Sequence, residues 1–139
     1  MTVVGVKPHP IFLAGRWVES PDVLEVANPA DAAHPAGATY NATPEQYEEA
    51  VNAAVAAACS GRFRTLIEFT ADPIVSSDVR TSTFSGVFDS LSTMVMEETM
   101  VKTITWFNNG WGYSARIIEV LERMAETLTS SSQGVGGKE

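Results

Sequence analysis

Apolar and polar positions follow two different rhythms along this chain, and the change falls near residue 65. In the first part, "IFLAGRWVES" and "VLEVANP" read as two short extended segments, with Ala14-Gly15-Arg16 as a turn and Asn28-Pro29 as a stop. The stretch "ADAAHPAGATYNA" reads as loop. In "TPEQYEEAVNAAVAAAC" the period becomes helical, with Thr43 as N-cap, Pro44 in the first turn and Gln46 closing a capping box. Glu45, Glu48 and Glu49 lie where the helix dipole favours negative charge. Tyr47, Val51, Ala54, Val55 and Ala58 recur on one narrow face, and Gly61 ends the helix.

From Leu66 the texture turns β-branched and Ser/Thr-rich. "LIEFT", "PIVSSDV", "TFSGVFD", "LSTMVM" and "MVKTITWF" read as strands joined by short turns, with Glu97-Glu98-Thr99 a hairpin connection. "GYSARIIEVLERMAETL" then places Tyr113, Ile117, Leu121, Met124 and Leu128 on one helical face, with Glu119 and Arg123 paired outside it. The tail over 129–139 has little to bury and is expected to be mobile. The pattern predicts an α+β (mixed α/β) chain. An N-terminal hairpin and helix lead into a partial, mostly antiparallel sheet closed by a C-terminal amphipathic helix. Uncovered sheet edges and apolar helix faces favour self-association or docking on another chain.

Composition narrows the function classes. Nine Lys and Arg against seventeen Asp and Glu give a net charge of −8, which points away from nucleic acid and from anionic membrane surfaces. The opening "MTVVGVKPHPIFLAG" is interrupted by prolines and too short in its apolar run for a signal peptide or membrane helix, so a cytoplasmic location is the expectation. Cys59 is the single cysteine, which excludes an internal disulfide and any paired-cysteine metal site.

Candidate chemistry is sparse. Cys59 closes an alanine-rich helix and reads as a small packed hydrophobe, although Arg62 and Arg64 stand near it in sequence. His9 and His34 each neighbour a proline in expected loops, and no set of convergent ligands for a metal is evident. Glu68, Asp72, Asp78 and Asp89 read as solvated or turn-capping carboxylates at strand ends. "GVGGKE" at the C-terminus lacks the strand, helix and hydroxyl residue of a phosphate loop. The densest signal is "WFNNGWGYS", Trp106 to Ser114, where aromatic, amide and glycine residues crowd a strand-to-helix junction. Such a mixture suits a packed corner or a ligand wall.

The second half, "ADPIVSSDVRTSTFSGVFDSLSTMVM" followed by "MVKTITWFNNGWGYSARIIEVLERMA", resembles the closing segment of phosphorylating glyceraldehyde-3-phosphate dehydrogenase over about 66–125. That resemblance implies NAD or NADP as cofactor. It places on Asn109 the amide that hydrogen-bonds the nicotinamide carboxamide, and on Tyr113 the ring beside the nicotinamide. Phe107, Asn108 and Gly110 stand where the family usually has a tyrosine and two acidic residues. The first half, "FLAGRWVES", "EVANPADAA" and "ATPEQYEEAVNAAVAAACSGRFR", is similar to the opening of the aldehyde dehydrogenase superfamily over about 9–64. There the resemblance implies scaffold with no catalytic residue. The chain thus reads as three stretches: 1–65 like an aldehyde dehydrogenase arm and first helix, 66–128 like glyceraldehyde-3-phosphate dehydrogenase, and the tail. Neither likeness brings a catalytic cysteine, a base or a glycine-rich cofactor loop. The expectation is a partial aldehyde oxidoreductase with weak or absent cofactor binding, or a non-catalytic module that docks on or mimics a dehydrogenase subunit.

Overall fold

The computed structural model describes residues 7–31, 33–97 and 99–133, and is a mixed α+β fold. In chain order the elements are β1 (Ile11–Leu13), β2 (Arg16–Val18), β3 (Asp22–Val26), β4 (Gly37–Asn41), α1 (Pro44–Ser60), β5 (Ile67–Thr70), β6 (Gly86–Met96), β7 (Met100–Trp106) and α2 (Asn109–Gln133). Two compact units divide them. One comprises Met1–Ala57 and Ser92–Lys102, the other Ala58–Leu91 and Thr103–Glu139.

In the first unit, β1 and β2 form a hairpin whose two-residue turn has positive φ at both Ala14 (48°) and Gly15 (82°). That conformation matches the twist of the flanking strands, and it sets Phe12 opposite Trp17 with ring centroids 5.2 Å apart, edge to face. The second segment of the predicted opening does not pair with this hairpin. β3 pairs antiparallel with β4, from Asp22 opposite Asn41 to Val26 opposite Gly37. The expected loop therefore contains a strand: Ala38, Thr39 and Tyr40 carry its extended backbone, and His9 adds backbone bonds to Ala38 and Tyr40 along its edge.

Helix α1 starts as its sequence predicts. The Thr43 amide donates to Gln46 Oε1 at 3.0 Å, and the Gln46 amide donates to Thr43 Oγ1 at 3.3 Å, closing the capping box. The Glu45 carboxyl is held below the usual carboxylate range by its own backbone N–H and by the Thr43 hydroxyl. The inward face is rotated from the expected one, however. Tyr47 and Ala54 are exposed, whereas Glu48, Asn52, Ala56 and Cys59 join Val51, Val55 and Ala58 on the covered side. Polar residues turn inward because strand β6 offers them partners. Asn52 Oδ1 accepts from the Thr93 hydroxyl at 2.7 Å, and Glu48 Oε1 accepts from the Val95 amide at 3.0 Å.

The remaining sheet has the order β5-β6-β7. β5 runs parallel to β6, pairing Ile67 with Gly86 and Thr70 with Asp89. Parallel neighbours need a long crossover, and residues 71–85 supply it as turns. "PIVSSDV" is therefore connection and not strand, with the Val75 amide bonded to Asp78 Oδ2 at 2.8 Å. β6 and β7 are joined by residues 97–99, a link too short for a crossover, so they run antiparallel as expected. Glu97 holds the turn with φ 49°, and Glu98 lies outside the described residues. The central strand β6 is buried continuously from Gly86 to Ser90, with Phe88 stacked on Phe69 at 5.8 Å.

Candidate functional site

The strand-to-helix junction gains its shape from three contacts within the second unit. Trp106, at the end of β7, donates its indole N–H to Asp89 Oδ2 at 3.1 Å. Asn108 is the N-cap of α2: its Oδ1 accepts from the amides of Gly110 at 2.9 Å and Trp111 at 3.0 Å. Gly112 sits against the backbone of Phe84, so close that a Cβ there would lie 2.8 Å from the Phe84 carbonyl oxygen. The glycines of "WFNNGWGYS" thus lie inside the first turns of a helix that begins at Asn109.

Asn109 and Tyr113 are one helical turn apart, and both line one open cleft of about 460 Å³ together with Ser85, Phe107, Asn108, Gly112 and Arg116. The structure brings the two expected site residues together. It also adds Arg116, which sequence reasoning missed. The signal was available, because Arg116 lies on the same face of the helix, one turn beyond Tyr113, and is the sole cation in the helix's first half. Its guanidinium donates to the carbonyls of Thr65 at 3.0 Å and Thr83 at 3.4 Å and pairs with Glu119 at 2.7 Å. Glu119 therefore pairs with Arg116 and not with the expected Arg123. Among the described residues, Arg116 Nε is the one buried side-chain polar atom without a partner. The clamp accepts that cost while tying the helix to two separate chain segments.

The same positions test a nicotinamide dinucleotide for fit. The Asn109 amide and the Tyr113 ring face a cleft of small-molecule size, so this end suits a carboxamide-bearing ring. A pyrophosphate needs uncommitted amides at a helix N-terminus. Those of Gly110 and Trp111 are taken by Asn108, and that of Gln46 by Thr43. The residues fit the ring end of the cofactor and not its phosphate end.

The other candidates are placed elsewhere. Asp89 is not a solvated strand-end carboxylate: it is 4 % exposed in mid-strand, and its Oδ1 accepts from the Leu91 amide at 3.1 Å. His34 pairs with Asp31 at 2.8 Å on the surface. Cys59 is buried near the end of α1, and burial pushes its thiol pKa up. A thiol so placed is expected to react with an aromatic disulfide reagent at pH 8 at least about tenfold more slowly in the native protein than after denaturation. The chain has no other cysteine, so the absorbance trace is unambiguous. Native and denatured rates that coincide would show the thiol to be open.

No helix among the described residues is long and apolar enough to cross a membrane. The helix continues to Gln133, five residues into the expected tail, and "GVGGKE" lies outside the described residues.

Comparison with known proteins bears on the junction directly. The family model "Glyceraldehyde 3-phosphate dehydrogenase, C-terminal domain" matches residues 26–109, from the end of β3 to the first residue of α2. The match therefore reaches upstream of Leu66, so residues 26–64 of the stretch expected to be aldehyde-dehydrogenase-like fall within the glyceraldehyde-3-phosphate dehydrogenase model. Among curated proteins, glyceraldehyde-3-phosphate dehydrogenase 2 of Streptomyces avermitilis is 45 % identical over 76 residues, 55 % of this chain and 23 % of the relative. The Thermotoga maritima glyceraldehyde-3-phosphate dehydrogenase is 43 % identical over 74 residues, 53 % of this chain and 22 % of the relative. The chloroplastic glyceraldehyde-3-phosphate dehydrogenase of Gracilaria gracilis is 39 % identical over 79 residues, 57 % of this chain and 19 % of the relative. The matched part of the chain spans about a fifth of the length of each. With more than half of its residues matched by that model, the chain belongs to the family of glyceraldehyde-3-phosphate dehydrogenase C-terminal domains.

Proposed function

We propose that this chain is a partial aldehyde oxidoreductase of the glyceraldehyde-3-phosphate dehydrogenase type that carries the nicotinamide-side wall of the cofactor site without independent turnover. The observation that carries the reading is the single cleft lined by both Asn109 and Tyr113 on α2. In this reading the Asn109 amide meets the carboxamide and the Tyr113 ring flanks the nicotinamide. Bound NAD or NADP would supply the hydride acceptor. The chain's own residues position its ring, through the Asn108 cap and the Arg116 clamp. In this reading the thiolate that aldehyde oxidation requires is not furnished by Cys59, which is buried and whose thiol pKa burial pushes up. In this reading the stretch over about 9–64 is scaffold that carries no catalytic residue, and the cytoplasm is the proposed location.

Calorimetric titration with NAD tests this. The expected dissociation constant is about 1 mM or weaker, because the pyrophosphate seat contributes most dinucleotide affinity. No nicotinamide reduction is expected with glyceraldehyde 3-phosphate and phosphate. A micromolar constant abolished by Asn109→Ala, or turnover abolished by Cys59→Ser, would overturn the proposal. A second reading, a module that docks on or mimics a dehydrogenase subunit, is favoured by the exposed apolar face of α2.

A further inference from the structure

The two-stranded ladder of β3 and β4 has one edge in use and one edge open. On the β4 side, the His9 amide donates to the Ala38 carbonyl at 2.9 Å, and the His9 carbonyl accepts from the Tyr40 amide at 3.1 Å. Ala38 and Tyr40 therefore turn these backbone groups away from β3, and Thr39, between them, turns its own toward Leu24 opposite. Along β3 the same alternation aims the N–H and C=O groups of Val23 and Glu25 outward. Among the described residues none bonds to them across that edge. All five residues of the strand are exposed, Leu24 by 59 % and Val26 by 49 %. Open edges are usually blunted by lysine, proline or a bulge, and β3 keeps a regular register with none of these.

We propose that this edge takes an extended segment of another protein as an added antiparallel strand, with Lys or Arg opposite Glu25 and Asp22 and apolar residues between. The backbone fixes the conformation of the occupant: a row of outward donors and acceptors at two-residue spacing is matched by a strand and not by a helix. Charge fixes its side chains. From Trp17 to Gly61 the chain has seven Asp and Glu and no Lys or Arg. Asp22 and Glu25 stand on opposite faces of β3, with Val23 and Leu24 between them in sequence. A segment reading basic, apolar, apolar, basic places a cation opposite each carboxylate and apolar side chains opposite Leu24 and Val23. The same residues disfavour a second copy, since pairing β3 with itself gathers two Asp22 and two Glu25 side chains in one ribbon without a cation. No residue of β3 lines the Asn109 cleft, so the proposal is independent of the cofactor reading.

Titration of the nitrogen-15-labelled full chain with the acetylated, amidated peptide TKIVKT, followed by its amide resonances, tests it. The Val23 and Glu25 amides are expected to move downfield together, while the Leu24 amide, already bonded within the ladder, moves least. The acidic peptide TEIVET is expected to bind at least about fivefold more weakly. N-methylation of the peptide's valine, whose N–H faces Val23, is expected to abolish binding, whereas N-methylation of its isoleucine, whose N–H points away, spares it. Val23→Pro removes an outward donor that the β3–β4 ladder does not use, so the fold is expected to persist and peptide binding to be lost. If circular dichroism shows that variant unfolded, the two N-methyl peptides on the unaltered chain carry the test. No shift at Val23 and Glu25 with millimolar peptide overturns the proposal, as does equal binding of the acidic peptide or of the two N-methyl peptides. Concentration-dependent dimerisation that Val23→Pro abolishes would put a second copy on the edge, and overturns it too.

Discussion

Gly112→Ala is expected to destabilise the second unit by about 1–2 kcal/mol net and to lower the melting temperature by about 3–8 °C. Gly112 is helical, so by propensity alone an alanine there would stabilise by up to about 1 kcal/mol. The opposite sign is expected because its Cβ would meet the Phe84 carbonyl oxygen at 2.8 Å, and a backbone atom cannot swing aside as a side chain does. Either α2 lifts from residues 84–85 or the crossover shifts. Both movements disturb Ser85 and Tyr113, which both line the candidate cleft. Gly110→Ala is the matched control: its nearest neighbour would be Asn108 Oδ1 at 3.4 Å, so the change is expected to stay within about 0.5 kcal/mol. Thermal unfolding of the two variants side by side decides the matter. Equal stabilisation by both alanines would mean that α2 does not rest on Phe84.

Local signals were read well wherever a side chain speaks to its own neighbourhood. The Thr43–Gln46 capping box, the turn at Ala14-Gly15, the link between β6 and β7 and the apolar stripe of α2 are all encoded within a few residues. Errors arose where a distant segment decides. β4 forms in a polar, proline-bounded stretch because β3 supplies its ladder. "PIVSSDV" has strand composition, yet it serves as crossover because β5 and β6 are parallel. The face of α1 is rotated because Thr93 and Val95, some forty residues away, hydrogen-bond Asn52 and Glu48. For the site, Asn109 and Tyr113 follow from family resemblance alone; the sequence pattern starts the helix at Gly112, and it is the observed start at Asn109 that sets the two one turn apart. Helical spacing from Tyr113 puts Arg116 on the same face, but its partners, the carbonyls of Thr65 and Thr83, are backbone atoms that no sequence pattern announces.

The side chain most consequential for the junction is Asp89, and Asp89→Ala is expected to cost about 2–3 kcal/mol. The carboxylate is 4 % exposed, and its two oxygens accept from separate donors, the Trp106 indole and the Leu91 amide. Alanine removes the acceptor and leaves both donors facing a space they cannot fill. A fully buried unsatisfied donor costs about 1–3 kcal/mol, and because both bonds here are part-buried each loss lies toward the lower end of that range. Asp89→Asn keeps the shape and one acceptor oxygen, so a smaller loss of about 1–2 kcal/mol is expected. Trp106→Phe removes the indole donor while retaining an aromatic ring, and its effect is expected to overlap that of Asp89→Asn. Urea unfolding of the two single variants and the double variant measures the overlap, with a coupling of about 1 kcal/mol expected for a direct bond. Because Trp106 leads straight into Phe107 and the Asn108 cap, loss of this bond frees the start of α2. Asp89→Ala is therefore also expected to shift tryptophan emission under native conditions. Strict additivity in the cycle, with emission unchanged in Asp89→Ala, would show that the indole bond does not anchor the junction.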